Sequence, residues 1–111
     1  MTGPADSLHA LAWLERREPR APEPLFARMA EALSRCAETD IPAALASAAF
    51  ACLRRAVERG RDRAAAWDLL AADALLTYAC EAAAEAGPDV GTVLDRIASP
   101  EHFARLLATD R

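Results

Sequence analysis

Residues 63–85 constrain the fold more than any other part of the chain, because they form one uninterrupted segment rich in alanine and leucine. The segment contains no Gly, Pro, Val or Ile, and Ala and Leu are strong helix formers. Asp62 precedes it as a candidate N-cap, and Gly87 and Pro88 follow it as a stop signal. We therefore predict a helix over about residues 62–86.

This predicted helix is apolar on two opposite faces when its residues are placed about 100° apart. One face carries Trp67, Leu70, Ala71, Ala74, Tyr78 and Ala82, and the other carries Leu69, Leu76, Cys80 and Ala83. A helix that is apolar nearly all round is usually buried. The pattern thus predicts a central helix that its neighbours contact on most sides.

A narrow polar stripe interrupts the apolar surface of the same helix. Asp73, Thr77 and Glu81 are spaced four residues apart, which stacks them on one line. Helical bundles can build sites from inward-facing carboxylates, so these residues and Tyr78 are candidates for a small-molecule or cofactor pocket. The alternative is a structural ion pair or a water-facing groove. We predict that Asp73 is a buried and paired carboxylate, because an unpaired buried charge is costly.

The rest of the chain also shows helical patterns, and no segment alternates as a strand would. Helices are predicted from Asp6 or Ser7 to about 17, over about 24–38, from the Asp40 cap to Gly60, over 90–97, and after the Ser99-Pro100 start. The proline-rich residues 18–24 predict an extended connector. The expected fold is a single all-α domain over residues 1–111, a bundle of five or six helices.

Arginines gather around the turn between the third and the central helix. These candidates for anion binding are Arg54, Arg55, Arg59, Arg61 and Arg63. The alternative is favourable cation placement at a helix C-terminus together with solubility. On the second helix, Arg28, Glu31, Arg35 and Glu38 share an outer face, which predicts a solvated surface.

Other features of the sequence limit the classes of function that the protein can have. The net charge of -4 argues against nucleic-acid binding, because such binding needs a concentrated positive face. No Gly-rich loop, nucleophile motif or ligand-spaced His or Cys set is present, so we expect no catalytic residues, no metal and no cofactor.

The longest apolar run, 48–53, is too short to span a membrane. All 13 basic residues are Arg, a usage typical of GC-rich, bacterial-like codons.

The three cysteines form no CxxC pair and fall on apolar parts of predicted helices. They are interpreted as buried free thiols, and an odd number without a disulfide framework favours the reducing cytoplasm. Trp13 lies away from the apolar face of the first helix, where it either covers an edge of the bundle or belongs to an interface.

Residues 69–81, with the sequence LLAADALLTYACE, are similar to a helix of the isoprenyl diphosphate synthases. The aspartate-rich metal–diphosphate motifs of that family are missing from this chain, so no residue roles are transferred from the resemblance. The leading expectation is a non-enzymatic, homo-oligomeric helical bundle that acts through protein–protein contacts. The alternative is a small-molecule-binding or enzymatic bundle with its pocket near Asp73, Thr77, Tyr78 and Glu81.

Overall fold

The computed structural model of the protein describes residues 4–36 and 40–87, together with residues 91, 95, 99–101 and 104. Four helices follow one another in this part of the chain: α1 (Pro4–Glu15), α2 (Glu23–Ser34), α3 (Ile41–Arg59) and α4 (Arg63–Ala86). The described residues contain no strand, so the prediction of an all-α fold is confirmed for them. They hold four helices rather than five or six. The segments predicted as the fifth and sixth helices lie largely outside the described residues.

Local sequence signals explain where these helices begin and end. The Asp40 carboxylate accepts a hydrogen bond from the Ala43 backbone N–H at 3.1 Å, which caps the start of α3. Asp62 caps α4 in the same way through the N–H of Ala64 at 3.1 Å. Between them, Gly60 ends α3 with φ at +60°, a left-handed conformation that glycine adopts without steric cost. The predicted helix over 62–86 therefore matches α4 closely.

The centre of the bundle is α3 rather than α4. Helix α3 has the largest set of buried residues among the four helices, namely Pro42, Ala44, Leu45, Ala46, Ala48, Ala49, Phe50, Cys52 and Ala56. These residues cover a wide arc of the helix, and the many alanines among them let neighbouring helices approach closely on several sides. The prediction that the helix of residues 63–85 is central and touched on most sides is wrong.

Helix α4 instead buries a single face. Its buried residues, Ala65, Asp68, Ala71, Ala72, Leu75, Ala79, Ala82 and Ala83, recur at the three- and four-residue spacing of one helical stripe. That stripe packs on α3 and α2. The bulkier residues Trp67, Leu69 and Leu70 lie outside it and are exposed. Small side chains on the inner face allow close packing. Leu75 and Ala79 of this buried stripe belong to neither of the two predicted apolar faces, so the helix turns inward the side that lies between them.

The larger core side chains come from all four helices. Leu14, Met29, Leu33, Leu45 and Leu75 are all fully buried, and each contributes roughly 2 kcal/mol through removal of its apolar surface from water. Trp13 also belongs to this core, with 6% of its surface exposed, and meets Tyr78 edge-on at a ring distance of 6.1 Å. Of the two interpretations of Trp13, the structure places the residue in a contact within the chain.

The connector predicted over 18–24 separates α1 from α2, although α2 already begins at Glu23 and carries Pro24 in its first turn. Along the described part of the chain, no helix combines the length and the apolar character that crossing a membrane requires.

Candidate functional site

The most unusual group in the structure is a buried carboxylate on α4, that of Asp68, which is 1% exposed. Its Oδ1 accepts a hydrogen bond from Arg28 Nη1 of α2 at 3.1 Å. Two arginines of α3 also face it, with Arg59 Nε at 3.2 Å from Oδ2 and Arg55 Nε at 3.9 Å from Oδ1. These four residues, here named the Asp68 cluster, join three helices around one negative charge.

The Asp68 cluster compensates the cost of burying an ionised group. A buried carboxylate without partners would lose several kcal/mol of hydration. Here one direct hydrogen bond and two further guanidinium groups replace the water. The Arg59 contact lies within ion-pair distance but lacks hydrogen-bond direction, so Asp68 Oδ2 accepts no hydrogen bond from a described residue. Arg55 Nε likewise has no hydrogen-bond partner among the described residues. This geometry indicates that the Asp68 cluster holds α2, α3 and α4 together.

The buried carboxylate is thus Asp68, and the prediction that Asp73 is buried and paired is wrong. Asp73 is exposed, because it lies on the outer side of α4, away from the inner stripe. A signal for Asp68 does exist in the sequence: it stands three residues after Ala65 and four before Ala72, in register with the small inward-facing residues. The solvated face predicted for α2 also differs in the structure, because Arg28 of that face forms an ion pair with the buried Asp68.

Glu31 extends the charged network from the Asp68 cluster along α2. Its carboxylate accepts a hydrogen bond from Arg35 Nη2 at 2.7 Å and lies 3.8 Å from Arg55 Nη1. Arg55 also donates to Cys52 Sγ at 3.9 Å. Burial raises the pKa of the Cys52 thiol, and the Arg55 hydrogen bond only partly offsets this effect. Cys52 is therefore a neutral thiol in the core.

The three cysteines differ in accessibility, and none of them forms a disulfide bond. Cys52 is buried as predicted, and Cys36 is partly buried. Cys80 is exposed, which contradicts its interpretation as a buried thiol, because it lies on the outer side of α4.

The five arginines considered for anion binding do not form one surface. Arg55 and Arg59 point inward to Asp68. Arg61 and Arg63 are exposed around the turn from α3 to α4. Arg54 is exposed on α3, and it lines a groove between α2 and α3.

This groove, here named the α2–α3 groove, is an open cavity of about 410 Å³. Its walls are formed by Ala32, Arg35 and Cys36 of the α2 side and by Ser47, Ala51, Arg54 and Arg55 of α3. The sequence places Arg35 on a solvated face, outside the set of arginines predicted for anion binding. The sequence carries little signal for this arrangement, because it depends on how α2 is placed against α3.

A second cavity, of about 400 Å³, includes two of the four candidates for a small-molecule pocket. Tyr78 and Glu81 line it together with Arg16, Arg17, Glu18 and Pro19. The other two candidates, Asp73 and Thr77, do not line it. Both are exposed, and the Thr77 hydroxyl donates to the Asp73 carbonyl oxygen at 2.9 Å within the same helix.

Beside the second cavity, Arg17 and Trp13 hold the C-terminal end of α4. Glu85 accepts hydrogen bonds from Trp13 Nε1 at 3.0 Å and from Arg17 Nη1 at 2.8 Å. The guanidinium of Arg17 lies 4.1 Å from the centre of the Trp13 ring, and its Nη1 lies 3.7 Å from Glu81. The Trp13 hydrogen bond and then that from Arg17 lower the pKa of Glu85.

The exposed side of α4 carries an apolar surface, here named the α4 patch and made of Ala66, Trp67, Leu69 and Leu70. All four are exposed, Trp67 by 37% and the two leucines by 51% each. Asp68, the charged residue within this segment, is turned inward. Exposed apolar side chains that are contiguous on one helix often mark an interaction surface.

In the described part of the chain, no group of three His, Cys, Asp or Glu side chains is arranged to hold a metal ion. Comparisons with protein-family models, with curated proteins and with solved structures found no match to this chain.

Proposed function

We propose that this protein is a non-enzymatic helical interaction module that associates with a second copy of itself through the α4 patch. The observation that carries the proposal is that every outward-facing residue of the segment 66–70 is apolar. Exposing Leu69 and Leu70 to water by half of their surface is unfavourable, and burial of these residues between two molecules would remove that cost. The cytoplasmic location expected from the cysteines is part of this proposal.

A second copy is the partner that suits this surface best, because the charges around the patch are self-complementary. Arg63 precedes Asp68 by five residues, and Asp73 follows it by five. Both are exposed, and neither forms an ion pair with a described residue. When two α4 helices pair antiparallel about a two-fold axis near residue 68, each Arg63 comes level with Asp73 of the other copy.

The first test places a charge in the patch. Leu70→Glu should weaken self-association about tenfold or more, since burying an unpaired carboxylate in an apolar interface costs more than about 1.4 kcal/mol. The matched control is Val57→Glu, because Val57 is 49% exposed on α3, outside the α4 patch. Analytical ultracentrifugation over a range of concentrations measures the effect, and circular dichroism verifies that both variants fold. A wild-type chain that stays monomeric at high concentration, or equal effects of both substitutions, would contradict the proposal.

The second test addresses the antiparallel register. Arg63→Asp and Asp73→Arg should each weaken association, because each change places like charges side by side. Combining both substitutions restores opposite charges across the interface and should recover most of the wild-type affinity. If the double variant is as weak as the sum of the single variants, the register is different.

The second candidate function is small-molecule binding at the cavity of Tyr78 and Glu81, favoured by its volume of about 400 Å³. Arg16 and Glu81 present opposite charges there. A thermal-shift screen of small molecules against the wild type and Glu81→Gln tests it. A compound that stabilises the wild type but not the variant supports this function, and a screen without such a compound counts against it.

A further inference from the structure

The α2–α3 groove has more positive than negative charge, in a chain whose net charge is -4. Three guanidinium groups line it, those of Arg35, Arg54 and Arg55. Arg35 and Arg55 share one carboxylate, that of Glu31, at 2.7 and 3.8 Å. Arg54 forms no ion pair with a described residue, and Glu58 one turn further along α3 stays beyond 4.0 Å of it. The groove is therefore locally positive.

Of the three arginines, Arg55 is the most enclosed by the surrounding structure. Its side chain is 28% exposed, and its guanidinium lies 3.8 Å from Glu31 and 3.9 Å from Asp68. Asp68 does not cancel the charge of Arg55, because Arg28 and Arg59 approach the same carboxylate more closely, at 3.1 and 3.2 Å. A preorganised guanidinium loses less conformational entropy on binding a ligand than a free one does.

The floor of the groove leaves room for a ligand between the charged groups. Ala32 and Ala51 line the groove together with the arginines, and small side chains at these positions leave space in a cavity of about 410 Å³. That volume lies within the range typical of small-molecule sites. It is also confined to one groove between two helices, whereas nucleic acid requires an extended positive surface.

We propose that the α2–α3 groove binds a small oxyanion of the phosphate or phosphate-monoester class, with Arg54, Arg55 and Arg35 as its ligands. Guanidinium groups match the tetrahedral phosphate oxygens by paired, charge-assisted hydrogen bonds. Arg54 supplies the charge that lacks an internal partner, so its contribution to phosphate binding is the largest. The proposal is independent of self-association, because the groove lies between α2 and α3 and the α4 patch lies on the outer side of α4.

The experiment is a titration of the full chain with inorganic phosphate by isothermal calorimetry, against sodium chloride at matched ionic strength. Arg54→Gln should raise the dissociation constant of phosphate about tenfold, since a hydrogen bond to a charged group contributes about that factor. The matched control is Arg61→Gln, which removes the same charge from an exposed arginine outside the groove and should leave the affinity unchanged. Neither exposed arginine has a role in the core, so both variants should fold.

Two outcomes would overturn the proposal: no phosphate signal beyond that of chloride, or the same loss of affinity in both variants. Glycerol phosphate and vesicles containing phosphatidic acid then distinguish the source of the anion. Calorimetric binding of glycerol phosphate without flotation on the vesicles identifies a free phosphate monoester. Flotation that Arg54→Gln abolishes and Arg61→Gln preserves identifies a lipid head group.

Discussion

At the scale of single residues, the packing of α4 against α2 and α3 depends on the buried carboxylate of Asp68. Its carboxylate is almost completely buried and faces Arg28, Arg55 and Arg59 from two other helices. Without its negative charge, the three guanidinium groups would repel one another around a neutral site. The buried position also prevents water from taking the place of the carboxylate.

We predict that Asp68→Asn lowers the free energy of unfolding by about 3 kcal/mol, because it removes one partner from a buried charge network. Asp73→Asn is the matched control on the same helix and should change stability by less than about 0.5 kcal/mol, since Asp73 is exposed. Urea unfolding followed by circular dichroism at neutral pH measures both. Equal effects of the two substitutions would argue against a stabilising role for the Asp68 cluster.

The difference between Asp68 and Asp73 also shows what the sequence could and could not predict about the site. Both are aspartates within one Ala- and Leu-rich helix, and Asp73 is the one aligned with Thr77 and Glu81. Helical spacing groups residues by face but does not say which face turns inward when the helix is apolar nearly all round. Asp68 is in register with Ala65 and Ala72, yet its pairing with Arg28 depends on how α2 packs against α4, which no local pattern encodes.

At the scale of elements, the bounds of α3 and α4 were predictable because short-range chemistry sets them. Asp40 and Asp62 cap the helices through their own neighbouring N–H groups, and Gly60 separates them. The role of each helix was not predictable in the same way. The burial of a helix depends on which other helices pack against it. Helix α3 is therefore the central one, although the helix of residues 63–85 has the more apolar sequence.

Because α4 buries only one face, we expect substitutions of two of its leucines to affect stability differently. Leu75 is fully buried, and Leu75→Ala should cost about 3 kcal/mol because it leaves a cavity. Leu70 is 51% exposed, and Leu70→Ala should change the stability of the monomer by less than about 0.5 kcal/mol. Chemical denaturation at dilute protein, where self-association is negligible, measures both changes. Similar losses at the two positions would mean that α4 is buried on both faces.

At the scale of the whole molecule, the two ends of the described helical fold are joined by Glu85. Trp13, next to the end of α1, donates to Glu85 at the end of α4, and 72 residues separate them in the chain. Arg17 adds a second hydrogen bond and an ion pair to the same carboxylate. The contact closes the bundle between its first and last described helices.

This contact predicts a specific dependence of stability on pH. The pKa of Glu85 is lower in the folded chain than in the unfolded one, first because of the Trp13 hydrogen bond and then because of Arg17. Its stabilising contribution is therefore present above the ordinary glutamate pKa of about 4.3 and is lost as the pH falls through the lowered value. Acidification from neutral pH to about pH 3.5 should cost the wild type more stability than it costs Glu85→Gln.

Urea unfolding at both pH values measures this difference, and Glu58→Gln serves as the control. Glu58 is exposed and forms no ion pair with a described residue, so its substitution should leave the pH dependence of the wild type unchanged. Identical acid sensitivity in all three proteins would rule out a contribution from Glu85.

The sequence by itself determined the all-helical class, the bounds of α4 and the caps that start α3 and α4. These depend on propensity, on turn residues and on contacts within a few positions of the chain. Only the tertiary structure decided that α3 is central, that Asp68 rather than Asp73 is buried, and that the α4 patch stays exposed. Only the packing of α2 against α3 brings Arg35 and Arg54 to one groove. Each of these outcomes depends on which helices come together, and a helix that is apolar nearly all round does not specify its partners or its buried side.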